Sequence, residues 1–155
     1  MDWRKPLAGL LACLLSAGMG FAQELDVSAP SVILMEATSG RVIYEKEPHR
    51  RQPVASLVKI MTLVLALEDL AAGRLHLEDP IVASPYASSM GGSQIWWEAG
   101  EHMSLKDALY AIAVGSANDA SVAVAEFMAG SEEAFVKRMN ERAGQLGLQN
   151  THFVH

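Results

Sequence analysis

Ser56 and Lys59 stand three residues apart in PVASLVKIMTLVLAL, residues 53–67, a stretch in which Lys59 is the one charged residue. A serine hydroxyl is a weak nucleophile at neutral pH unless a base takes its proton. A lysine becomes such a base when burial disfavours its charged form. Spacing of i, i+3 on a helix puts the two side chains on one face, and a helix start turns N–H groups and positive partial charge toward Ser56. The nearest acids, Glu68 and Asp69, lie more than two turns from Lys59, so no local ion pair explains a lysine in an apolar run. The plain alternative is a lysine whose stem packs and whose amine snorkels to water. S-x-x-K is a common pattern, but here it occurs once, at the start of the most apolar segment.

A second group of polar side chains is Ser116-Ala117-Asn118, in VGSANDASVAVAE, residues 114–126. It falls where one helical pattern ends at Gly115 and another begins, so its side chains can face a cleft. A hydroxyl there can pass a proton between Lys59 and a leaving amine, and the Asn118 amide can hold a peptide group. Taken alone, Ser, Asn and Asp before a helix read first as N-caps. The five histidines show no H-E-x-x-H spacing, and there is no G-x-S-x-G elbow. Trp96-Trp97 reads as a pair with one ring packed inward and the other partly exposed rather than as a substrate wall.

The elements that must position these groups follow from pattern. SVILMEATSGRVIYEKE gives two β-rich runs, Val32–Met35 and Arg41–Glu45, joined by Thr38-Ser39-Gly40 as a hairpin. The apolar segment after it reads as a helix buried on all sides, ending near Gly73. Residues 76–103 look irregular apart from a short strand at PIVAS. Ser104 and Asp107 form a capping arrangement for a helix to Gly115. Further helices are expected at Asp119–Met128 and Ser131–Gln145, the latter with Phe135, Val136, Met139, Ala143 and Leu146 on one side. Two strands followed mainly by helices make an incomplete sheet.

Residues 1–22 are set apart from this fold. Arg4 and Lys5 form a positive start, Leu7–Met19 an apolar run, and Gly20-Phe21-Ala22 a small-residue cleavage site. A signal peptide cut after Ala22, and hence an exported chain, is expected. Residues 23–30 read as a leader and 31–155 as the domain. The chain carries 18 acidic and 12 basic residues, net −6, and without residues 1–22, which hold Asp2, Arg4 and Lys5, the balance is −7. Nothing in that charge attracts nucleic acid or anionic lipid. The sole cysteine, Cys13, lies in the apolar run, so disulfides and cysteine-type zinc sites are not expected in the exported domain. No cofactor or metal is called for.

The words ASLVKIMT, MGGSQIWWEAGE, GSANDASVAVAE, GSEEAFVKRMN and LGLQNTHFV follow one another here in the order and spacing of the low-molecular-mass penicillin-binding proteins that are serine D-alanyl-D-alanine carboxypeptidases. The chain resembles that family over residues of about 30–154, opening hairpin included. The resemblance implies an α+β fold of the β-lactamase/transpeptidase kind (an α/β sandwich), an antiparallel sheet flanked by helices. It implies an enzyme of the cell envelope that removes the terminal D-alanine from peptidoglycan stem pentapeptides. Ser56 would be the nucleophile, Lys59 the general base, Ser116 the proton relay and Asn118 a substrate-binding residue, with β-lactams as covalent inhibitors.

Val58 and Ala117 stand at variable positions of the family's motifs, whereas His155 stands where asparagine is usual. The family's K-T-G strand is not found before residue 155. As loss of an oxyanion donor costs about 10²–10³ in rate, the expectation is that this chain alone is inactive or barely folded and the complete protein active. A D,D-endopeptidase with the same acyl chemistry, a class A β-lactamase, which normally has S-D-N, and a non-catalytic peptidoglycan-binding remnant are the competing readings. Membrane attachment is left open.

Overall fold

The computed structural model describes residues 26–154, so the expected signal peptide and His155 lie outside the described residues. The chain divides into two compact units, one ending at Arg50 and one beginning at Arg51.

The first unit is the hairpin. Strand β1, Val32–Met35, pairs antiparallel with β2, Val42–Lys46, in a register that sets Val32 opposite Lys46 and Leu34 opposite Tyr44 and shifts between Leu34 and Met35. The Glu36 carboxylate builds the turn by accepting from the backbone N–H of Thr38 (2.9 Å) and Ser39 (2.6 Å). The Ser39 hydroxyl bond and these backbone bonds hold the Glu36 carboxyl down to about 2. Gly40, at φ 70°, supplies the left-handed residue that brings the chain back. The second strand begins one residue later than its composition predicts. Ile33, Leu34, Met35, Val42 and Ile43 are all exposed.

The second unit holds the helices. A 3₁₀ turn, Ala55–Val58, runs into helix α1, Lys59–Ala71. Strand β3, Pro80–Val82, pairs antiparallel with β4, His102–Ser104, Ile81 facing Met103. Between them lie the one-turn helix α2, Pro85–Ser88, and an irregular segment. Helix α3 is Leu105–Gly115, α4 Asn118–Ala129 and α5 Glu132–Gln145. Strand β4 escapes the sequence because three residues carry no alternation and their partner lies some twenty residues back. The capping arrangement is present: the Ser104 hydroxyl accepts from Asp107 N–H at 3.1 Å and donates to its carboxylate at 2.7 Å.

Helix α4 packs against α1, α2, α3, α5 and β3. It can do so because its inner positions are small: Ala120, Ala123 and Val124 are essentially fully buried, which lets neighbouring backbones approach. One core cluster gathers Ile81, Leu105, Ile112 and Val124 with Trp97. Another joins Met61 and Leu65 of α1 to Phe135, Met139 and Ala143 of α5, with Val136 partly buried against it, so four of the five residues predicted for that face pack there and Leu146 is left exposed. Helix α1 departs from expectation. It buries Lys59, Met61, Thr62, Leu65, Ala66 and Asp69, while Ile60 and Leu67 are 57% and 58% exposed. Composition measured its apolarity but not how many sides are covered, because burial of apolar residues is a one-way rule.

Candidate active site

Lys59 is only 8% exposed. Its amine has no hydrogen-bond or ion-pair partner among the described residues, and burial alone pushes its pKa below the ordinary lysine value. It lines a cavity of about 340 Å³ with Thr62, Met90, Asn118, Ser121 and Val122, and is the one basic side chain among the residues lining it. Apolar walls from Phe135, Val136 and Met139 close much of the rest. Burial thus brings the neutral, proton-accepting form of the amine within closer reach.

Ser56 precedes this lysine in the 3₁₀ turn and is exposed. Side chains at i and i+3 eclipse in an ideal 3₁₀ helix, yet here Ser56 is exposed and Lys59 buried, and no hydrogen bond joins them among the described residues. Ser116 caps α3 in the left-handed conformation, φ 55°. Ala117 then adopts extended backbone as the N-cap of α4 with no side-chain capping bond. The capping reading of Ser116 and Asn118 is therefore replaced. Asn118 instead donates from Nδ2 to the Gly91 carbonyl at 2.6 Å, and its N–H donates to the Ser93 carbonyl at 2.7 Å. It ties the start of α4 to the irregular segment before β4. Gly92 completes the contact: a Cβ there would meet Asn118 Nδ2 at 2.9 Å.

Backbone strain falls in the same places. Four non-glycine residues among those described have positive φ, and three of them are Ala55, beside Ser56, then Trp96 and Ser116. A left-handed non-glycine residue costs roughly 1–2 kcal/mol, and such costs persist where surrounding structure over-determines the conformation. For Trp96 the cause is visible. The Asp119 carboxylate, fully buried, accepts from the N–H groups of Ile95 and Trp97, each at 3.1 Å, and so pins the residues on either side. Trp97 is buried at 4% exposure while Trp96 is pushed out to 78%, the inward and outward pair predicted.

Of the predicted residues, Lys59 and Asn118 line one cavity, and Ser56 and Ser116 do not line it. Sequence reasoning missed Asp119, Thr62 and Ser121. Asp119 carried a signal, an acid directly before an alanine-rich helix, but it read as a cap. Among the described residues no cluster of three or more His, Cys, Asp or Glu side chains suits a metal, and no helix is long and apolar enough to cross a membrane.

The pattern of the D-alanyl-D-alanine carboxypeptidase family, peptidase S11, matches residues 19–155. The D-alanyl-D-alanine carboxypeptidase DacF of Bacillus subtilis is 50% identical over 130 residues, covering 84% of this chain and 33% of that protein. The Escherichia coli carboxypeptidase DacC is 36% identical over 157 residues, covering 94% of this chain and 39% of that one. The crystal structure of the carboxypeptidase DacD from Francisella tularensis superposes with a TM-score of 0.82 at 35% identity, over 84% of this chain and 32% of that one. The fold is thus α+β and of the penicillin-binding kind, and the chain spans about a third of the length of these relatives.

Proposed function

Because this chain belongs to the D-alanyl-D-alanine carboxypeptidase family, we propose that the whole protein removes the terminal D-alanine from peptidoglycan stem peptides through an acyl-enzyme on Ser56. The observation that carries the reading is Lys59, a buried lysine without an acid partner, placed one turn after a serine and facing a cavity with Asn118. The Ser56 hydroxyl oxygen attacks the carbonyl carbon between the two D-alanines, and its proton passes to the Lys59 amine. Ser116 relays a proton to the departing D-alanine nitrogen as the peptide bond breaks, and Asn118 holds the substrate's peptide group. Water then attacks the ester, restoring Ser56 and releasing the shortened peptide. A β-lactam follows the first half of this path, its ring opening onto Ser56. Export to the cell envelope through residues 1–22 fits such a substrate.

Incubating the whole protein with a stem pentapeptide and, separately, with a cross-linked dimer tests the reading. D-Alanine release from the pentapeptide, lost in Ser56→Ala, is expected. Cleavage of the dimer alone would make the protein an endopeptidase. No product from either, with muropeptide binding retained, would make it a binding remnant.

A further inference from the structure

Outside the catalytic groups, a second cavity of about 560 Å³ opens beside the irregular segment, and its lining includes Ser88, Gly91, Gln94, Trp96, Trp97 and Glu98. Its chemistry is selective. No lining side chain is basic, which disfavours a phosphate or carboxylate ligand. The Trp96 ring is 78% exposed, and the two bonds from its neighbours to buried Asp119 hold that backbone in place, so little ordering entropy is lost when a ligand stacks on it. The Gln94 amide and Glu98 carboxylate have no hydrogen-bond partner among the described residues, leaving both free for a ligand.

The walls add a further observation. The buried side-chain polar atoms without a partner among the described residues are Ser88 Oγ and Trp97 Nε1, and both residues line this cavity. Indole Nε1–H can only donate, and a hydroxyl can donate or accept. Buried groups of this kind are normally paired, and each exception calls for an account. Both atoms are closed off from solvent, so neither meets a ligand in this arrangement, and the free polar side chains of the cavity are Gln94 and Glu98. The occupant must therefore offer a flat apolar face to Trp96 and donors to Glu98 and Gln94. A cationic amine supplies donors but no flat apolar face.

The geometry points to a saccharide-binding subsite at Trp96, in which a neutral pyranose ring stacks on the indole and its hydroxyl and amide groups are held by Gln94 and Glu98. The assignment of peptidoglycan glycan as its source rests on the reading under Proposed function; the sugar chemistry does not. Such a subsite would hold the glycan while the stem peptide reaches Lys59.

Titrating the whole protein with chitotetraose by calorimetry tests this. Saturable binding is expected, about tenfold or more weaker in Trp96→Ala, largely kept in Trp96→Phe and unchanged in Ser56→Ala. Absence of saturable binding, equal binding by Trp96→Ala, or equal competition by lysine amide would overturn it. Penicillin labelling of the same preparations separates the two ideas. A protein that binds chitotetraose through Trp96 but forms no adduct keeps the subsite and loses the acyl-enzyme. One that forms the adduct without binding the sugar does the reverse.

Discussion

Helix α1 carries a buried charge near each end, and the two are treated in opposite ways. At the C-terminal end Asp69 is surrounded by cations: Arg74 bonds one carboxylate oxygen, with Nε at 3.0 Å, and Arg138 the other at 2.8 Å. Burial, the largest single influence, pushes the Asp69 carboxyl up, but the bonds and charges of Arg138 and Arg74 together outweigh it and hold the group below its ordinary value. Glu68 beside it is gripped by Arg142 of α5 at 2.6 and 2.9 Å. At the N-terminal end Lys59 has no partner among the described residues, and its pKa falls through burial alone. A paired buried charge fixes helices against each other. An unpaired one costs stability that the rest of the helix offsets, and under the proposed function it serves as a base.

The largest expected effect breaks the reactive end. In the whole protein Lys59→Ala should slow acylation by penicillin roughly 10²–10⁴-fold, the usual worth of a positioned base, as followed by intact mass against time. Next comes the support for the second motif. Asp119→Ala leaves the N–H groups of Ile95 and Trp97 without an acceptor, and at about 1–3 kcal/mol per orphaned group urea unfolding should show a loss of roughly 2–6 kcal/mol. Asp69→Asn breaks the paired end. Arg74 is 61% exposed and Arg138 32%, so the loss should be about 1–3 kcal/mol, below that of a fully buried pair, with the acylation rate kept. Because the folded Asp69 pKa is depressed, its stabilisation is present above the unfolded value of about 3.9 and lost as pH falls through the folded one; Asp69→Asn should remove that part of the acid limb. The smallest effect sharpens the contrast. Lys59→Met should leave stability at neutral pH unchanged or raise it by up to about 1 kcal/mol while slowing acylation as Lys59→Ala does, the trade expected where function is held at a cost.

Both ends were legible in the sequence to different degrees. Lys59 stood out because a charge in an apolar run has no local partner. The Asp69 network could not be read, since Arg138 and Arg142 lie some seventy residues away and only the packing of α5 on α1 brings them in. Helices α3, α4 and α5 were visible through periodicity and through Ser104, Gly130 and Ser131 at their ends, as local chemistry decides those boundaries. Strand β4 and the 3₁₀ turn were not, because three or four residues carry no period. Ser116 and Asn118 were found as residues, but as N-caps they were misread, since Ala117 holds that position without a side-chain bond. Asn118 and Asp119 fasten a segment whose Gly91, Ile95 and Trp97 offer only backbone groups, and backbone partners leave no mark in residue type.

The central claim is that Lys59 is buried so that it can act as a base for Ser56. It is tested most directly by the pH dependence of the rate at which benzylpenicillin acylates the whole protein, read by intact mass. The rate is expected to rise with pH through a midpoint below the free lysine value of about 10.4, with that rise gone in Lys59→Ala. A midpoint at or above the free value, or the same profile in the variant, would contradict it.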